Sequence, residues 1–170
     1  YCAAVTEKTG VRFRITEDGK ERISIEAQGT GAHAAMPEGG NNAITASLAL
    51  VASMHLAACP QFETLCALSQ LLPHGDYLGR GLGVAMEDEV SGELTLSLNI
   101  LHVTGTELSA QFDSRTPVCA TEENMKQVAA KNCAARGLRL EDTPMRPPHY
   151  VPADSRLVKT LMECYRDHTG

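Results

Sequence analysis

Twice along these 170 residues an alternating apolar run, a glycine-containing turn and a second alternating run lead into a helical segment. In the first copy Val11, Phe13 and Ile15 alternate with polar residues, "EDGK" supplies an Asp-Gly turn, and Ile23, Ile25 and Ala27 alternate back. In the second, Leu94, Leu96, Leu98 and Ile100 alternate, "VTGTE" turns, and Leu108, Ala110 and Phe112 return. Each copy predicts a hairpin with one apolar face, which is marginal in water until something covers it. The segments that follow supply the cover. From about Asn42, the residues Ile44, Leu48, Val51 and Met54 recur at helical spacing. After the second hairpin, "TPVCATEENMKQVAAKNCAARG" predicts a helix with Thr121 as N-cap and Glu122 and Glu123 at the positive end of its dipole. Gly137 closes it, and Met125, Val128, Ala129 and Cys133 form its apolar face.

The remaining segments complete the order. "YCAAVTEKTG" reads as the last turns of a helix, and "QFETLCALSQLL" as another helix. "PHGDYLGRGLGVAMEDEVSG" reads as a long connection punctuated by glycine, and "LRLED" as a short last strand. "TPMRPPHYVP" is a proline-rich linker, after which Asp154 caps a helix carrying Leu157, Val158, Leu161 and Tyr165. Strands and helices segregate rather than strictly alternate. The expected class is α+β: a two-layer sandwich, antiparallel sheet with helices on one face, with ferredoxin-like βαββαβ elements open to a doubled arrangement. The linker divides the chain into a domain over 1–146 and a linker with one helix over 147–170, which belongs with something else.

Charge and cysteine usage narrow the partners. A net charge of −6 argues against a nucleic-acid or anionic-membrane surface, which needs clustered Lys and Arg. No apolar run reaches the roughly 20 residues of a membrane span, and the opening residues do not read as a signal peptide. The six cysteines are scattered without a CxxC pair. They read as reduced core residues of a cytoplasmic protein rather than a disulfide framework.

Metal-ligand spacings are missing as well. There is no HExxH and no Glu-Glu pair beside a histidine, and His55 with Cys59 gives two ligands without a second pair. Nor is there a Gly-x-Ser-x-Gly elbow or a phosphate-binding loop, and "GRGLG" at 79–83 is too common a pattern to count.

Two residues stand out against that background. His33 lies in "GTGAHAAMPEGGNNAI" among Gly31, Ala32, Ala34 and Ala35, with Pro37 stiffening the loop. Small neighbours let a ligand approach the backbone, and a neutral imidazole there can donate one N–H to a carbonyl oxygen gaining negative charge. The plainer alternative is a polar loop histidine. Arg115 ends "ELSAQFDSR", where Ser109, Gln111, Asp113 and Arg115 share the polar face of a strand. A guanidinium on a rigid sheet suits a bidentate grip on a carboxylate, and an ion pair with Asp113 explains it equally well. Neither residue can make a nucleophile.

These segments together resemble a known family. "GTGAHAAMPEGGNNAI" is similar to the lid-domain signature of the dinuclear zinc exopeptidases and aminoacylases, and "FDSRTP" resembles that family's Phe-Asp-Ile-Arg-x-Pro strand. "LGVAMEDEVSGELTLSLNIL" resembles the branch of dipeptidase V and other Xaa-His dipeptidases, and "PHYVPADSRLVKTLMECYRDHTG" its return to the catalytic domain. The resemblance implies a hydrolase, specifically a metallopeptidase, of which residues 1–146 are the lid without its first strand. In it His33 stabilises the oxyanion and Arg115 binds the substrate's terminal carboxylate. The lid asparagine some members use has no match here, and Asn99 is a distant substitute. Two zinc ions, a dipeptide substrate and the protein's own catalytic domain are the implied partners, with every zinc ligand outside this chain. A doubled lid implies a monomeric parent, while open strand edges leave the fragment free to self-associate. Two other classes stay open: the lid of an N-acyl-amino-acid deacylase, and a non-catalytic ferredoxin-like interaction module.

Overall fold

A computed structural model describes residues 1–19, 22–146 and 150–169. It is α+β, with small antiparallel ribbons on one side and helices on the other. Helix α1 (Cys2–Thr9) closes on Gly10, whose φ of 72° gives the left-handed cap that the sequence signals. Strands β1 (Arg12–Glu17) and β2 (Ile23–Gln28) pair in register with Ile15 opposite Ile25. Lys20, in the expected "EDGK" turn, lies outside the described residues. Only the base of this ribbon is covered: Val11 beside it is fully buried, while Ile15 and Ile23 are exposed.

Helix α2 (Ala43–Ser53) crosses β2 and packs on α3 (Pro60–Leu71). It ends before His55, so His55 and Cys59 do not share a helix. The connection to the second hairpin turns on glycines and contains a small ribbon, β3 (Glu87–Asp88) with β4 (Gly92–Glu93). Strands β5 (Thr95–Val103) and β6 (Leu108–Arg115) form the long ribbon. Among the described residues the strands of the three ribbons pair only within their own hairpins.

The core is a leucine cluster between α3, β5 and α4 (Gln127–Ala134). Leu48, Leu71, Leu82, Leu94 and Leu98 are almost wholly buried. Each contributes about 1.5–3 kcal/mol by leaving water. The expected alternation of Leu94, Leu96, Leu98 and Ile100 breaks at its end. A bulge at Asn99 puts one extra residue between the Leu98–Phe112 and Ile100–Gln111 pairs. The phase flips there, Ile100 turns out to solvent, and Leu101 packs on the core in its place.

Thr121 caps the next helix as expected. Its hydroxyl accepts the Asn124 N–H at 3.2 Å, while the Asn124 side chain accepts the Thr121 N–H at 2.7 Å. The first turn, Glu122–Lys126, is wound as a π-turn and continues into α4. "LRLED" is not a strand. Leu138 and Leu140 touch the core, but a cavity of about 950 Å³, lined by Phe112, Met125, Leu138 and Met145 among others, lies between that segment and β6. With no ladder partner among the described residues, the segment is held by the Leu138 N–H on the Cys133 carbonyl at 3.0 Å and by side chains, including the Lys126–Asp142 ion pair at 2.5 Å.

Helix α5 (Arg156–Thr169) has no buried residue, and Leu157, Leu161, Met162 and Tyr165 are all exposed. Ser155, not Asp154, accepts the Val158 N–H at its start, because the helix begins one residue later than the Asp154 signal suggests. In the linker, residues 147–149 lie outside the described residues. No helix of the described residues is long and apolar enough to cross a membrane. The six cysteines carry free thiols. They are not all core residues: Cys133 is buried, whereas Cys59, Cys119 and Cys164 are exposed, because their segments fall outside the leucine cluster.

Candidate functional site

The His33 loop is closed at its base. Thr30 and Asn41 exchange both backbone hydrogen bonds, at 2.9 and 2.8 Å. Glycines permit this pinch: a Cβ on Gly40 would stand 2.7 Å from the Ala32 Cβ, and one on Gly29 would collide with the Asn41 carbonyl oxygen. Beyond the pinch, two asparagines fix the loop to the rest of the fold. Asn41 donates its side-chain amide to the Thr9 carbonyl at 2.8 Å. Asn42 caps α2 by accepting the Ile44 and Thr45 N–H groups, and donates to the Leu98 carbonyl of β5 at 2.8 Å. A short 3-10 turn, Pro37–Gly39, packs beside β5.

His33 itself is exposed at the outer end of the loop. Its Nδ1 accepts the Ala35 N–H at 3.1 Å, so in the neutral imidazole the proton sits on Nε2. That leaves an N–H donor directed away from the loop's own backbone.

Arg115 ends β6 opposite Thr95. Cross-strand partners share a face, so Arg115 lies with Thr95, Ser97 and Asp113 on the side away from the buried Leu94, Leu96 and Leu98. The Thr95 hydroxyl donates to the Ala34 carbonyl at 3.1 Å. The residue after His33 is thus tied to the cross-strand partner of Arg115, and the loop stands over the ribbon face that carries the guanidinium. The Asp113 pairing weighed for Arg115 does not form. Among the described residues Arg115 has no ion pair, and Asp113 instead accepts the Asn99 amide at 3.2 Å. Asn99, on the bulge, is therefore already engaged through its N–H, with its amide oxygen left over.

Sequence reasoning missed the residues that assemble this arrangement. Thr95 gives no signal, since threonine is ordinary in a strand; Asn42 had one, as a good N-cap before the Ile44 stripe. His74 was also missed. Its Nδ1 lies 3.0 Å from the Thr45 hydroxyl, beside a cleft of about 120 Å³ shared with Glu38, Asn42 and Tyr77.

Asp88 holds the neighbouring connection together. Its carboxylate accepts the N–H groups of Val90, Ser91 and Cys119 and the Ser91 hydroxyl. The Ser91 N–H foremost, then that of Cys119, holds the carboxyl well below the usual carboxylate range. A group depressed in the folded state stabilises the fold above its unfolded pKa, and the effect is lost as pH falls toward the folded value. Asp88→Asn, which turns an NH₂ toward one of these donors, is expected to lower the thermal midpoint at pH 7. The gap to wild type should close progressively below about pH 4. Thermal melts across pH 2–7 check this; a gap independent of pH would show that the ionised carboxylate is not what binds the loop.

No group of three His, Cys, Asp or Glu side chains among the described residues could hold a metal ion. No protein-family model matches the chain. Over 160 residues, 93% of its length, it is 29% identical to Beta-Ala-Xaa dipeptidase of Lactobacillus delbrueckii subsp. lactis. Over 99 residues, 56% of its length, it is 35% identical to "Putative dipeptidase YtjP" of Bacillus subtilis (strain 168). The chain is a distant relative of dipeptidases. These matches cover 33% of the first protein and 20% of the second, so the chain spans a third or less of the relatives it matches.

Proposed function

We propose that the chain is the substrate-covering lid of a zinc-dependent dipeptidase, with residues 1–146 as lid and 147–170 leading to a catalytic domain. The observation that carries this reading is the Thr95–Ala34 hydrogen bond, which hangs the His33 loop over the ribbon face bearing Arg115. An oxyanion donor and a carboxylate clamp, each on a different element, would then address one small substrate. An interaction module has no use for that convergence.

In this reading the His33 Nε2–H donates to the scissile carbonyl oxygen as charge builds on it, and Arg115 pairs with the terminal carboxylate. Asn99 adds a weaker contact through its free amide oxygen. The described residues do not fit a zinc site, so this reading gives both ions to the catalytic domain and assigns no step of the attack to the described residues. The same domain covers the exposed Leu157, Leu161 and Tyr165 of α5. The whole protein is cytoplasmic and monomeric, whereas the isolated chain, with open ribbon edges, self-associates.

The test compares the full-length protein with the 170-residue chain. The full-length protein is expected to hydrolyse a β-Ala-Xaa dipeptide and to lose that activity to a chelator. The isolated chain, stripped with chelator and titrated with zinc by calorimetry, is expected to show neither stoichiometric binding nor turnover. Zinc binding with turnover in the isolated chain overturns the lid reading. Cleavage of N-acyl amino acids without dipeptides would assign the deacylase chemistry instead.

A further inference from the structure

We infer that Thr95 is a positioning residue that sets the distance between the His33 imidazole and the Arg115 guanidinium, and so the length of substrate the pair accepts. The inference rests on the proposed lid function and deepens it. Among the described residues Thr95 is the position where both parts meet. Its backbone is paired with Arg115 across the ribbon, and its hydroxyl holds the Ala34 carbonyl at 3.1 Å. The loop's other described hydrogen bonds to the fold act at its base, namely the Thr30–Asn41 pair, the Asn41 amide on Thr9 and the Asn42 amide on Leu98, while Pro37–Gly39 packs beside β5 without such a bond. Those ties fix where the loop leaves the fold. The outer end, residues 33–36, is held internally by the Ala35 N–H on His33 Nδ1 and the Met36 N–H on the His33 carbonyl. Internal bonds shape this end but do not aim it. The Thr95 hydroxyl aims it, because it links the outer end to an element whose own position is fixed by the leucine core.

The chemistry that follows is a ruler. A carbonyl under His33 and a carboxylate at Arg115 are separated in a dipeptide by a single residue, so a fixed spacing selects substrates with one residue beyond the scissile bond. Displacement of about 1 Å at a reacting group costs up to roughly 10²-fold in rate. Loss of one tether among several should cost less.

Thr95→Val keeps the shape and β-branching but removes the donor; Thr95→Ser keeps the hydroxyl. In the full-length protein, Thr95→Val is expected to lower kcat on a dipeptide about tenfold, with the discrimination against a tripeptide reduced. Thr95→Ser is expected to restore both. In a His33→Ala background, Thr95→Val should have no further effect on kcat, because the residue it positions is gone. A merely structural threonine would lower activity equally in both backgrounds, and that additive outcome overturns the inference. So does wild-type kcat and selectivity in Thr95→Val when His33→Ala alone is severely impaired. If His33→Ala itself changes nothing, the lid reading fails, and the positioning role fails with it. Should Thr95→Val not fold, Thr95→Cys, a poor donor of similar size, carries the same expectations.

Discussion

Replacing His33 by alanine in the full-length protein is expected to lower kcat and kcat/KM together, by roughly 10²–10³-fold. The ground-state carbonyl is a modest acceptor, and its oxygen becomes a strong one only as the tetrahedral intermediate forms. A donor aimed at it therefore contributes far more to the transition state than to substrate binding. The geometry supports such a donor, since Nδ1 is occupied by the Ala35 N–H and the proton is left on Nε2. Folding should be spared, because His33 is exposed and its side chain bonds only within its own loop among the described residues. Steady-state kinetics with a thermal melt of each protein separates the two effects. An unchanged kcat in a folded variant would return His33 to the status of a polar loop residue.

The two hairpins and the helices after them were legible because their signals are local. The Asp-Gly and Thr-Gly turns, the period of two and the Thr121 cap each lie within a dozen residues. "LRLED" was misread because a strand exists only by its partner, and an apolar alternating pentapeptide says nothing about whether one is present. The bulge at Asn99 was invisible for a related reason: the alternation through Ile100 is intact in the sequence and broken only in the pairing. The candidate site divides along the same line. His33 and Arg115 were legible from their unusual surroundings and their strand face. The tie between the elements that carry them was not, because it rests on one hydroxyl, that of Thr95, meeting a carbonyl 61 residues earlier in the chain. Asn99 stands out in the sequence only as a polar residue in an apolar run, and its bond to Asp113 explains why Arg115 is left without its obvious neighbour.

That freed guanidinium motivates a separate expectation. Arg115→Ala in the full-length protein should act mainly through KM, raising it roughly 30–150-fold, about 2–3 kcal/mol, while kcat changes much less. The substrate carboxylate carries its full charge before, during and after bond cleavage, so the contact stabilises ground and transition states alike. The cost should not be softened by a rearranged partner, since Asp113 is satisfied by Asn99 rather than held by the arginine. Arg115→Lys should recover only part of the affinity, because an ammonium cannot reproduce the two parallel N–H bonds. A dipeptide amidated at its C-terminus supplies the decisive contrast. Wild type and Arg115→Ala should cleave it with similar, poor kcat/KM, while His33→Ala should still be severely impaired on it. If Arg115→Ala instead weakens free and amidated dipeptides equally, the arginine does not meet the carboxylate. Its place on the polar face of β6 would then have to be explained by a contact with another part of the protein.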